Sequence, residues 1–284
     1  MHLHVVHAGF FKLDGGAMFG IVPRVLWQKL TPPDNNNLCT WAMRCLLVET
    51  ADRRILIDTG MGDKQDDKFR SHFHPHGEQS LLGSLEGHGF VPEDITDVLL
   101  THLHFDHVGG AVQRTAEGNL LPTFPNATYW STEAHFKWAE YPNAREKASF
   151  LKENFIPLRD HEQLAFLPVE DDFEWIPGIH LRFAYGHTEA MCIPYLTYGD
   201  RTLIYCADLL PSTYHIGLPY IMAYDVRPLH TLDEKTRLLE EALEKNQVLF
   251  FEHDPETECA TLQRNDRGRI VVDETFPLET LLGA

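Results

Sequence analysis

Thr101-His102-Leu103-His104-Phe105-Asp106-His107-Val108-Gly109-Gly110 follows directly on the apolar run Val98-Leu99-Leu100, and its reading decides the rest of the chain. Three imidazoles and a carboxylate fall between His102 and His107. At the extended end of a strand, His102 and His104 stand two apart and project to one side. Asp106 and His107 follow on a tighter turn and face a second point close by. Neutral imidazoles with a carboxylate suit zinc, iron or manganese. The stretch is a metal site delivered by a strand.

Outward from it, apolar runs bounded by turn residues predict strands over residues 3–6, 44–49 and 54–58, the last ending in Ile57-Asp58-Thr59-Gly60. Residues 61–78 are polar, carry His72, His74 and His76, and read as a mobile loop; residues 80–86 read as a short amphipathic helix. Helices over 132–161, separated by Tyr141-Pro142-Asn143, lead to a second group of strands at 179–185, 193–197 and 202–206. The clearest helix is 231–245, where Thr231 and Glu234 form a capping box and Leu232, Leu238, Leu239, Ala242 and Leu243 make one apolar stripe. It feeds a strand over 248–251 that ends at Glu252-His253-Asp254. Two groups of strands, each followed by helices and with no Gly/Ser-rich linker between them, imply a single α/β domain over residues 1–284.

The formal charge of −18 comes from 42 acidic against 24 basic residues. Such a surface repels phosphate backbones, so no nucleic-acid partner is expected. No run reaches the roughly 18 to 20 apolar residues of a membrane helix, which excludes a membrane partner of that kind. The first residues, Met1-His2-Leu3-His4-Val5-Val6-His7, lack the basic flank and apolar core of a signal peptide, and cytoplasmic residence is the expectation. Cys39, Cys45, Cys192, Cys206 and Cys259 form no C-x-x-C pair and read as reduced, buried residues.

One cluster does not complete a two-ion centre, so further ligands must come from other strand ends, where a rigid scaffold presents functional groups. Three candidates each follow a predicted strand: His187 in Gly186-His187-Thr188, Asp208 in Cys206-Ala207-Asp208, and His253 after Phe250-Phe251-Glu252. His72, His74 and His76 have no carboxylate partner nearby and read as a surface or lid loop.

The ordered set Asp58-Thr59-Gly60, His102-x-His104-x-Asp106-His107, Gly186-His187-Thr188, Asp208 and His253 resembles the metallo-β-lactamase superfamily. Within it, Ile55-Leu56-Ile57 ahead of Asp58-Thr59-Gly60-Met61, Ile176-Pro177-Gly178, and Phe250-Phe251-Glu252-His253-Asp254 are similar to the metal-dependent N-acyl homoserine lactone lactonases. The resemblance implies an α/β fold of four layers, an αββα sandwich. It also implies two divalent ions, zinc first and iron or manganese next. One ion would be held by His102, His104 and His187, the second by Asp106, His107 and His253, and Asp208 would bridge them with its two oxygens. Asp58 would orient the metal loop without being a ligand. The stretch from Asp14 to Pro23, with Met18 and Phe19, and Trp27 beyond it, corresponds to the lining of the lactonases' acyl-chain pocket; a core plug is the alternative. A homodimer is compatible with the resemblance.

The reaction so implied is hydrolysis of a small-molecule lactone or similar carboxylic ester. Two divalent ions would supply hydroxide at neutral pH by lowering the pKa of water, Asp208 and Asp106 would be the catalytic carboxylates, and Asp208 would help pass a proton to the leaving group. The alternative for the same centre is phosphoester or phosphotriester hydrolysis. Two departures from the lactonases stand out. Their histidine turn continues Pro-Gly-His, where this chain has Glu189-Ala190-Met191. They also carry a tyrosine three residues after the bridging aspartate, where Pro211 stands here and Tyr214 is the nearest tyrosine downstream.

Overall fold

The computed structural model of the chain describes residues 1–282 and divides into two units, Met1–Phe11 with Ala42–Val169, and Lys12–Trp41 with the chain from Glu170 onward. In chain order the first unit is built on β1 (His2–Asp14), β2 (Leu38–Glu49), β3 (Arg54–Ile57), β4 (Asp97–Leu99), β5 (Val112–Arg114), β6 (Leu120–Pro122), β7 (Thr128–Thr132) and β8 (Leu164–Leu167). Residues 12–14 of β1 and 38–41 of β2 belong to the second unit.

Six of these strands form one sheet in the order β1-β2-β3-β4-β7-β8, and β5 and β6 make a separate hairpin. The run from β3 through β8 is parallel. Parallel strands are covered on both faces and therefore read as unbroken apolar runs, as Ile55-Leu56-Ile57 and Val98-Leu99 do, all buried. Parallel pairing also puts the loops after β3 and β4 at the same end of the sheet. Asp58 opens the first of these loops, and Thr101 to His107 make the second. Beneath them lies a core of Leu47, Leu56, Val98, Leu103, Val108, Tyr129 and Phe155, with Leu85 from the helix Leu81–Gly87 and Phe136 from the helix Glu133–Glu140.

The second unit holds β9 (Phe173–Ile176), β10 (Ile179–Ala184), β11 (Met191–Tyr198), β12 (Arg201–Tyr205), β13 (Val248–Phe250), β14 (Cys259–Arg264) and β15 (Ile270–Phe276), ordered β15-β14-β13-β12-β11-β10-β9. Its neighbours pair antiparallel except β12 and β13, which are parallel. The helix Pro228–Glu244 makes that crossover and buries Leu238, Leu239 and Ala242. Asp208 and His253, which follow β12 and β13, therefore emerge at the same end.

Several element boundaries differ from expectation. The crossover helix starts at Pro228, a residue suited to a first helical turn, which places Thr231 and Glu234 inside the helix and leaves no capping box there. Glu234 accepts hydrogen bonds from the backbone N–H groups of Tyr185 (2.8 Å) and Gly186 (3.0 Å) instead. The polar stretch 61–78 contains a helix, Asp67–Phe73, because the Asp66 carboxylate caps it by accepting from the Phe69 N–H. β1 is far longer than residues 3–6, since its apolar positions do not alternate strictly and only its early residues read as a strand. All five cysteines are buried, and none is in a disulfide among the described residues. Among the described residues no helix is long and apolar enough to cross a membrane.

Candidate metal centre

In the first unit, Asp58 is the organising group. It sits in the left-handed region at φ 58° directly after β3. Its Oδ1 accepts from the Thr101 N–H at 2.8 Å and its Oδ2 from the Thr101 hydroxyl at 2.6 Å. The same Oδ2 lies 3.1 Å from His107 Nδ1. A carboxylate on Nδ1 fixes the proton there and leaves Nε2 free to bind a cation. The Thr59 N–H and hydroxyl both donate to the His107 carbonyl, at 2.7 and 2.8 Å. Gly109 and Gly110 follow because a Cβ at either would overlap the Met61 or Thr59 carbonyl.

His102 and His104 converge as their spacing predicts: His102 Nε2 and His104 Nδ1 are 3.1 Å apart, and both rings are buried. The far nitrogen of His104 faces Glu146 Oε1 at 3.6 Å. The other oxygen of Glu146 accepts from Trp138 Nε1 (2.7 Å) and Asn143 Nδ2 (2.6 Å). His135, capped into its helix by Thr132, accepts the Leu103 N–H at 2.8 Å and so fixes the link between the two histidines. Asp106 Oδ2 lies 3.9 Å from His107 Nε2.

In the second unit the three strand-end candidates come together. Asp208 presents one oxygen to each histidine: Oδ2 is 3.1 Å from His187 Nε2, and Oδ1 is 3.1 Å from His253 Nε2. The second nitrogen of His187, Nδ1, is 2.8 Å from Asp225 Oδ1. The turn carrying His187 is held from several sides. Arg227 donates through its backbone to Gly186 O and through its side chain to Tyr185 O and Glu189.

Asp225 and Glu146 were not legible as site residues. Each meets its histidine from a segment distant in sequence, and no spacing rule connects them. The remaining expected residues have the following surroundings. His72, His74 and His76 are exposed and join no metal-competent group among the described residues. Met18, Phe19 and Trp27 are buried, with Phe19 stacked on Trp27 (5.3 Å between centroids) and on His215 (5.1 Å). His215 is wedged between the Ser212 hydroxyl and the Met18 carbonyl, and burial pushes its pKa down to about 3, so the ring is neutral. Pro211 uses its carbonyl to accept the His253 N–H at 3.0 Å. Tyr214 is half-buried, packs edge-on to Trp41, and burial raises its pKa.

Both sets of donors suit divalent cations. Buried imidazole nitrogens converge on one another or on a carboxylate at about hydrogen-bond distance, and carboxylates on the opposite nitrogens set the tautomers. Such a donor set on strand-end loops is that of a metal-binding protein. The chain belongs to the metallo-beta-lactamase superfamily, whose profile matches residues 44–253. It is 28% identical over 269 residues to an N-acyl homoserine lactonase of Bacillus cereus, covering 90% of this chain and 94% of that one. Among solved structures it is similar to a "probable metal-dependent hydrolase" from Staphylococcus aureus (TM-score 0.85, 27% identity, 97% and 98% of the two chains). The dizinc quorum-quenching lactonase AidC, in complex with a product, shares the fold at TM-score 0.77 and 22% identity over 97% and 95% of the chains. The superfamily and these relatives imply divalent metal ions.

Proposed function

We propose that this chain opens lactones with a dinuclear metal centre, and that the residues 1–284 act as one catalytic domain. His102, His104 and His187 hold one ion, Asp106, His107 and His253 the other, and Asp208 serves both. The observation that carries this reading is the Asp208 carboxylate, each of whose oxygens meets a different histidine at 3.1 Å. The relation to an N-acyl homoserine lactonase over 90% of the chain supports the substrate class. Zinc is the metal we favour, because the donors are chiefly imidazole nitrogens.

Two divalent ions supply, when bound, activation of water at neutral pH and polarisation of the substrate carbonyl. The protein's own groups do the rest. Asp58 and Asp225 keep the ligating nitrogens of His107 and His187 deprotonated by holding the proton on Nδ1. In this reading Asp208 passes a proton to the leaving ring oxygen. With proline at position 211, this chain positions the substrate carbonyl without a tyrosine at that place.

The test is ring opening of N-decanoyl homoserine lactone by metal-replete protein, followed by proton release. Turnover above about 10⁴ M⁻¹s⁻¹, an ordinary enzymatic value, is expected, together with two metals per chain. Hydrolysis of a neutral phosphotriester with no lactone turnover, or full activity at one metal per chain, would overturn the reading.

A further inference from the structure

The second unit contains a cavity of about 940 Å³ that none of His187, Asp208 and His253 lines. It is walled by the turn from Thr213 to Tyr220, the helix Pro228–Glu244 and the β14–β15 hairpin. Its lining is mainly apolar, with Ile216, Leu239 and Val271 prominent, and its size is that of a small-molecule site. The turn is braced from behind. Buried Lys235 donates to the carbonyls of Gly217 and Tyr220, each at 2.8 Å, so this wall is built into the fold. Leu30 and Leu218, two more lining residues, are 40% and 42% exposed, which leaves apolar surface open to a ligand.

The polar part of the lining is asymmetric. Arg264 is held by Glu240 and by the Gly268 carbonyl. Arg269, on the same hairpin, has no side-chain partner among the described residues and is exposed. A free guanidinium beside an apolar cavity, in a chain of net charge −18, selects an anionic head group. Elsewhere that surface would repel such a ligand.

We propose that this cavity binds a medium- to long-chain fatty acid, its tail against Ile216, Leu239 and Val271 and its carboxylate on Arg269. This goes beyond lactone hydrolysis and does not depend on it, because the lining includes no proposed metal ligand.

The experiment titrates the full, metal-replete chain calorimetrically with octanoate, decanoate and decanol, and records the mass of the particle in solution alongside. Decanoate should bind about tenfold more tightly than octanoate, as two further buried methylenes require. Arg269→Glu should weaken decanoate by about fivefold and leave decanol unchanged. Val271→Trp, which fills the cavity from a half-buried strand position, should remove both ligands while the melting temperature and metal content stay at parental values. Undiminished decanoate binding in Val271→Trp would overturn the proposal. So would equal weakening of acid and alcohol in Arg269→Glu. A dimer that occupies this face and dissociates on Val271→Trp would assign the cavity to a second copy of the chain and overturn it as well.

Discussion

Asp225→Ala should loosen metal binding by about 10- to 100-fold, the usual cost of removing a carboxylate behind a ligating histidine. The geometry sets this range. His187 and Asp225 side chains are each 1% exposed, and Asp225 Oδ1 lies 2.8 Å from His187 Nδ1. Truncation leaves a buried imidazole N–H without its acceptor, which costs about 1–3 kcal/mol, and a loss of 10- to 100-fold corresponds to about 1.4–2.7 kcal/mol. Asp225→Asn keeps an acceptor oxygen and loses the charge, so it should stay within about tenfold. The assay titrates apo-protein with zinc in competition with a chromophoric chelator and compares melting of apo and metal-saturated protein. A residue that merely packs the loop would lower both melting temperatures together. A residue that positions His187 narrows the gap between them, because ligand stabilisation grows with the logarithm of metal concentration over Kd. Zinc affinity of Asp225→Ala within about twofold of the parent would refute the reasoning.

Gly186→Ala should destabilise the fold by about 1–3 kcal/mol in urea melts, since the added Cβ overlaps Thr231 on the crossover helix; an unchanged midpoint would mean the turn and helix separate freely. Ala190 sits at φ 48°, a conformation that penalises any Cβ, so Ala190→Gly should raise the urea midpoint by the equivalent of up to about 1 kcal/mol. Burial lowers the pKa of Lys235 to about 7. Between about pH 7 and 10 the unfolded chain holds a proton that the folded chain has released, so this group makes stability rise with pH across that window. Subtracting the urea-derived stability of Lys235→Met from that of the parent at pH 7 and at pH 9.5 should recover that rise, and a difference independent of pH would show that Lys235 stays charged in the fold.

The donor set on the first unit was readable because its residues are contiguous. A strand that ends at Leu99 and a helix that begins at Phe105 leave His102 and His104 on extended backbone, and period two then decides that they converge. His187, Asp208 and His253 were readable for a different reason: each follows a strand, so the sheet gathers them at strand ends. Asp225 escaped both rules. It is separated from His187 by 38 positions and lies in neither a strand nor a helix, so nothing periodic marks it. The capping box at Thr231 failed on the same kind of tertiary fact. Local pattern assigned Glu234 to its own helix, but two backbone N–H groups of the His187 turn lie within its reach and need an acceptor. The departure Glu189-Ala190-Met191 belongs to this set. Glu189 pairs with Arg227, whose backbone N–H and guanidinium hold Gly186 and Tyr185. The turn that aims His187 is therefore fixed by charged groups on the segment from Asp225 to Glu234. Those contacts give Ala190 a reason to remain at a positive φ that glycine would adopt without strain.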